Sequence, residues 1–282
     1  MAAPGAMDMG LKPESGVVVI LDALGSKGIW RTADLATVVD KRDEFYSSLI
    51  DLLRPLLKEA LPGILSAAKV EDRHVSDGEW RAQVFSDTII VTASSRDAFP
   101  EDLLFGAYFV SSLALYLGVL TGVALHRGAI SVGEFCRGKV SLLGPAVDEA
   151  AIWFEQADWM GVLLTPSARE AAMRLSRRLG YPLDTWFPVA PIPMAHGPRW
   201  EDGRAVDWPS FASNPANQKR HATASSFFSE LLPSMFLKPP VSPDLVLKYD
   251  NTTRFIRQVL PQYSKLMGPG PKPRSRAPVG SK

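Results

Sequence analysis

Two carboxylates stand where apolar runs begin or end. Asp22 closes the run Val17-Val-Val-Ile-Leu21 and leads through Ala23-Leu24 into Gly25-Ser-Lys-Gly28. Asp87 opens a second run inside Phe85-Ser-Asp-Thr-Ile-Ile-Val-Thr-Ala93. A buried strand rarely ends in an Asp without a partner, because an unpaired desolvated carboxylate is costly. Two such strands side by side would bring both carboxylates to one edge of a sheet. A pair of that kind suits Mg²⁺ or Mn²⁺, and such hard cations in turn hold phosphates. Taken singly, Asp22 would simply cap its loop and Asp87 would sit in a hairpin turn. The amides of Ala23, Leu24, Gly25 and Ser26 are expected to turn inward as an anion-binding nest. Lys27 is either a point-charge clamp or a solvated side chain. The loop is not a Walker loop, since Gly-x-x-x-x-Gly-Lys-[Ser/Thr] is absent.

The elements that must position this pair follow from periodicity. Val17–Leu21 is a short continuous apolar run, suited to a buried strand. Thr32 or Asp34 caps a helix expected to run to about Ala60, with Pro55 as a kink and Pro62-Gly63 as the stop. Trp80–Val84 and Thr88–Ala93 read as strands, and a helix follows from about Glu101 to Leu117. Further strands are expected at Thr121–Gly133, Lys139–Leu143 and Gly161–Leu164, with helices starting at Pro145 and after a Thr165 cap. The order is βαββαβ followed by βαβα, an α+β chain with a ferredoxin-like core. Beyond Gly180 Pro and Trp become frequent, and helices are expected at about Lys219–Leu232 and Pro243–Leu266. The organisation read from this is a mobile arm (1–15), a main domain (16–180), a Pro/Trp-rich and helical extension packing on it (181–267) and a disordered tail (268–282).

Composition sets limits on function. With 46% hydrophobic and 22% charged residues the chain has ordinary globular composition. A formal net charge of +1 gives no global attraction to nucleic acid or anionic membrane, so phosphate binding must be local. The single cysteine, Cys136, forbids an intrachain disulfide and fits a reducing cytoplasm. No signal peptide is expected from Met1–Gly10. Leu103–Ala124 is apolar, yet Gly106, Ser111, Ser112, Gly118, Thr121 and Gly122 interrupt it, so it reads as a core helix running into a strand. His74, His126, His196 and His221 are scattered without zinc spacing, and the tryptophans read as packing residues.

Four motifs in order carry a resemblance: Asp22 with its turn, Asp87 in a hairpin, Arg127-Gly-Ala-Ile-Ser-Val-Gly133, and Gly144-Pro-Ala-Val-Asp-Glu-Ala-Ala-Ile152. Over about Gly16–Ser167 the chain resembles the class III nucleotidyl cyclases. The resemblance implies a ferredoxin-like catalytic domain and two Mn²⁺ or Mg²⁺ ions per site on Asp22, Asp87 and the Ala23 backbone. It also implies a homodimer with active sites shared across the interface. The family's ribose-contacting Asn falls on Asp148, and its transition-state Arg falls on Ile152, which cannot stabilise a developing negative charge. Arg137 and Lys139 are candidates to replace that cation, or else they decorate a hairpin loop. Asp148 or Glu149 from the partner subunit would hold ribose, and Arg127 begins a strand.

The base-selecting positions fall on Gln83 and Ser141, matching neither the adenine nor the guanine pattern. Gln both donates and accepts, which suits a pyrimidine edge. With the Leu21-Asp-Ala-Leu-Gly-Ser-Lys-Gly28 form of the first motif, this looks like the bacterial pyrimidine cyclases of Pycsar antiphage systems. Those make cyclic UMP or cyclic CMP, which a separate effector senses. The expected activity is therefore cyclisation of UTP, with CTP as the other pyrimidine. The competing readings are a degenerate cyclase fold that binds nucleotide without turnover, an ordinary purine cyclase, and another two-metal phosphoryl-transfer enzyme on the same scaffold.

Overall fold

The structure is a computed structural model and describes residues 12–24, 34–55, 57, 78–94, 99–196, 200–218, 223–237 and 242–266. The central strand is β1 (Glu14–Leu24). It pairs antiparallel with β3 (Thr88–Ser94) on one side and β4 (Leu125–Arg137) on the other. β2 (Glu79–Phe85) lies outside β3 as its hairpin partner. Helix α1 (Leu35–Pro55) connects β1 to β2, and α2 (Leu104–Thr121) connects β3 to β4. The strand order β2-β3-β1-β4 with these two crossovers is the ferredoxin-like arrangement expected from sequence. β5 (Leu142–Leu143) pairs with the end of β4, and β6 (Gly161–Leu164) runs parallel to its start.

The apolar run of β1 is continuous because both faces of the sheet are covered. Val17, Val19 and Leu21 join the main core, together with residues of α1 and α2. Val18 and Ile20 join a smaller cluster with Phe135 and with Ala146 and Ala150 of α3 (Pro145–Gln156). Side chains alternate along a strand, so Asp22 belongs to the α3 face.

Several boundaries differ from expectation. Asp34 is the cap of α1, accepting from the Thr37 N–H at 3.1 Å, but the described helix ends at Pro55. α2 continues to Thr121, where a strand was expected to begin. Gly122, with φ 68°, ends it in the left-handed conformation that glycine adopts without strain, and β4 starts only at Leu125. Pro100–Thr121 is long and apolar enough to cross a membrane, and most of it is buried inside the fold. The strand expected at Lys139–Leu143 shrinks to two residues because the Gly138 N–H closes a turn on the Ser141 carbonyl. Gly144 follows with φ 143°, and a Cβ there would lie 2.6 Å from the Phe135 Cα, so this entry to α3 needs glycine.

Thr165 precedes α4 (Pro166–Leu179) but makes no side-chain cap bond. Glu149 of α3 does that work, accepting from both the N–H and the hydroxyl of Ser167. The chain beyond 180 is less purely helical than expected. It opens with a hairpin, β7 (Val189–Pro193) and β8 (Trp200–Arg204). Then come α5 (Trp208–Ser213), a helical run over Ala224–Phe236 interrupted by a π-helical turn at Phe227–Leu231, and α6 (Pro243–Val259). Trp186, Trp208, Phe227 and Phe255 share one apolar cluster with the strands. Trp159 and Phe255 pack with ring centres 4.1 Å apart and planes inclined at 58°, and the Thr252 hydroxyl accepts from the Met160 N–H. The expected arm lies largely, and the expected tail wholly, outside the described residues.

Candidate active site

Asp22 stands at the far end of β1, with Thr88 directly across on β3 and Arg127 directly across on β4. The Thr88 hydroxyl donates to Asp22 Oδ1 at 3.1 Å. The Arg127 guanidinium donates to Asp22 Oδ2, Nε at 3.4 Å and Nη2 at 3.5 Å. The carboxylate is 19% exposed and the guanidinium 22%. Burial pushes the Asp22 carboxyl above its ordinary range; Thr88 and Arg127 oppose that, and the negative charge of Asp87 adds to it.

Asp87 lies in the two-residue Ser86–Asp87 turn between β2 and β3. Its carbonyl accepts from the Ala23 N–H at 3.1 Å and, more weakly, from the Tyr46 hydroxyl at 3.5 Å. Ser86 has φ 58°, which a residue other than glycine seldom adopts. Strain of this kind concentrates at functional turns, where the surroundings over-determine the backbone. Burial lifts the Tyr46 phenol to about 12, with Asp87 and Asp22 both adding to the rise. The two carboxylates therefore act on common neighbours. Behind them His126 is wholly buried and stacks on Phe45, and burial lowers its pKa to about 4.

Asp22 and Asp87 are the residues that could hold a hard divalent cation. Asp22 is held between burial and a second carboxylate, a situation a cation relieves. Two carboxylates with water and substrate phosphate is how Mg²⁺ is usually bound. Among the described residues no group of three or more His, Cys, Asp and Glu forms a metal cluster. The remaining ligands would thus be the Ala23 carbonyl, water and phosphate oxygens.

The other expected site residues are placed as follows. Leu24 ends β1 and packs on the main core. Gly25 and Ser26 lie outside the described residues, as does Lys27. Gln83 is half-buried on β2 and pairs with Ile90, itself paired with Ile20, so it shares the Asp22 face. Strand spacing and rise put it about 12 Å from Asp22. Arg137, Lys139 and Ser141 are at the opposite end of β4, about 33 Å away in the same chain.

Arg137 is not an uncommitted cation. It is 6% exposed, ion-paired with Glu14, and also donates to Ser94, Thr92 and the Glu79 carbonyl. A role as the replacement cation would require it to leave these partners. Lys139 and Ser141 are exposed on the hairpin turn. Asp148 is exposed in the first turn of α3, whereas the Glu149 carboxylate accepts from Ser167 at the start of α4. Ile152 is 62% exposed on the same helix.

Three residues at the site were not singled out from sequence: Arg127 as a site cation, Thr88 and Tyr46. Arg127 also donates to the Glu155 and Ala157 carbonyls, and so joins the end of α3 to Asp22. Its position beside Asp22 depends on the β1–β4 register, which no local motif encodes.

No family model matches the chain, and no curated protein matches it. Among solved structures it is similar to the catalytic core of a rhodopsin-guanylyl cyclase with converted specificity in complex with ATPαS. The TM-score is 0.45 and the identity 11%, over 70% of this chain and 97% of that one. The ferredoxin-like topology rests on the strand order and register.

Proposed function

We propose that the chain is a metal-dependent nucleotidyl cyclase. It converts a pyrimidine nucleoside triphosphate, UTP in preference to CTP, to the 3′,5′-cyclic monophosphate and pyrophosphate. The observation that carries this reading is the meeting of Asp22, Asp87 and Arg127 at one end of the sheet.

Asp22 and Asp87 would hold Mn²⁺ or Mg²⁺, two ions per site. Such ions lower the pKa of the ribose 3′-hydroxyl and neutralise the triphosphate. Arg127, held by Asp22 and the Glu155 and Ala157 carbonyls, would turn a guanidinium N–H to a phosphate oxygen on substrate binding. The 3′-oxygen forms a bond to the α-phosphorus, the bond from that phosphorus to the bridging oxygen breaks, and pyrophosphate leaves with that oxygen. The hydroxyl proton passes to solvent. Positioning and charge neutralisation carry most of such a reaction.

Gln83 supports a pyrimidine, because its amide can pair with an edge that both donates and accepts. Lys139 and Ser141 would complete the site only from a second copy, since they stand far from their own chain's carboxylates, and Asp148 would join them from that copy. The exposed apolar residues Phe85, Val140, Leu143 and Ile152 support such a homodimer. A separate cyclic-nucleotide-sensing effector and a role in antiphage defence rest on the resemblance carried by Gln83, Ser141 and the Leu21–Gly28 form of the first motif.

One observation favours a second reading, a nucleotide-binding module without turnover. Ile152 stands where a cation would be needed, and losing one such electrostatic donor lowers rates by about 10²–10³-fold. Incubating the purified protein with each ribonucleoside triphosphate and Mn²⁺, and identifying products by mass, separates the readings. Cyclic UMP or cyclic CMP supports the pyrimidine cyclase and a cyclic purine an ordinary cyclase. Nucleotide binding without product supports the module.

A further inference from the structure

We infer that Thr88 is a positioning residue for the metal site, acting through its hydroxyl on the Asp22 carboxylate; this rests on the metal-binding reading of Asp22 and Asp87. A threonine at the start of a strand is unremarkable by type, and what assigns it a role is geometry. Thr88 is the direct cross-strand partner of Asp22, and its hydroxyl donates to Oδ1 at 3.1 Å. Arg127 holds the other oxygen. Oδ1 thus has one fixed donor and keeps a lone-pair site for a cation, while Oδ2 accepts both guanidinium bonds.

Thr88 is also the residue after Asp87, whose carbonyl accepts from the Ala23 N–H. The two carboxylate-bearing segments are therefore laced in both directions. Ala23, next to Asp22, bonds the Asp87 backbone; Thr88, next to Asp87, bonds the Asp22 side chain. The β-branched side chain has a restricted χ1, so its hydroxyl is held toward Asp22 with little freedom to lose. Hydrogen bonds from outside the ligand set orient ligands in this way, and losing one typically weakens metal binding 10–100-fold.

The test is direct Mn²⁺ binding to the full chain without nucleotide, by electron paramagnetic resonance of free Mn²⁺. The proteins are wild type, Thr88→Val, Thr88→Ala, Thr88→Ser and Asp22→Ala, each checked for a cooperative unfolding transition. T88V keeps shape and branching without the hydroxyl, T88A removes it with less bulk, and T88S restores it. The expected result is binding weakened roughly tenfold in T88V and T88A, recovered in T88S, and lost in D22A. Wild-type affinity in T88V and T88A, with binding lost in D22A, overturns the role of Thr88 and leaves the metal site standing. Absence of Mn²⁺ binding in the wild type, or unchanged binding in D22A, overturns the metal site and this inference with it.

Discussion

The backbone N–H of Ala23 donates to the carbonyl of Asp87 at 3.1 Å. One bond thus fixes the Ser86–Asp87 turn against the strand that carries Asp22. The turn is held in a conformation that Ser86, with φ 58°, adopts at a cost. Replacing Ser86 by Gly relieves that cost and is expected to raise stability by about 0.5–1 kcal/mol. Chemical denaturation checks it, and a loss of stability would contradict a strained turn.

Asp22 is expected to reduce the stability of the metal-free protein. Its folded-state pKa lies above the ordinary value, chiefly through burial. Its contribution to stability is fully present below the ordinary carboxylate value, is lost as pH rises through the raised folded-state pKa, and is absent above it, where the folded state keeps a charge it disfavours. Asp22→Asn is accordingly expected to unfold at higher temperature than wild type at pH 7 without metal, and to lose Mn²⁺ binding. Thermal melts with and without Mn²⁺ test both halves; a lower melting point in both conditions would argue that Arg127 needs the charge more than burial opposes it.

His126 gives a pH dependence of the opposite sense. Burial depresses its pKa to about 4, from an ordinary 6.5. Between those values the unfolded chain binds the extra proton, so stability is fully present above pH 6.5 and declines toward pH 4. The loss is expected to be roughly 3 kcal/mol. Denaturant titrations across that range measure it. His126→Leu is expected to flatten the profile, and an unchanged slope would contradict a neutral buried imidazole.

Arg137 is expected to matter for folding. Removing it leaves Glu14 and Ser94 without their shared partner. Arg137→Met should cost roughly 3 kcal/mol, part of which returns in the double variant with Glu14→Gln. Full stability in R137M with lost turnover would instead return Arg137 to the catalytic set.

The central strand, the Phe85-Ser-Asp step, β6 and the strand order were legible because each rests on local signals, namely a doubly buried apolar run, a tight turn and crossover helices. The end of α2 was not legible. Its apolar residues run on toward β4 without a change of texture, and only the conformation of Gly122 separates helix from strand. The β7–β8 hairpin was hidden by prolines at 191 and 193, which lower strand propensity without excluding a two-stranded ribbon. At the site, both carboxylates were visible as sequence oddities. Thr88 and Arg127 were not, because their roles arise from register across three strands. Arg137 looked available because sequence does not record its pairing with Glu14.

The pairing of Asp22 and Asp87 in one metal-dependent cyclase site is tested most directly by product formation. Wild type and the Asp22→Ala, Asp87→Ala double variant would be incubated with UTP and Mn²⁺, and cyclic UMP quantified by mass spectrometry. The expected result is cyclic UMP and pyrophosphate in equal amounts from wild type, and neither from a double variant that remains folded. Undiminished cyclic UMP from the double variant would contradict the account.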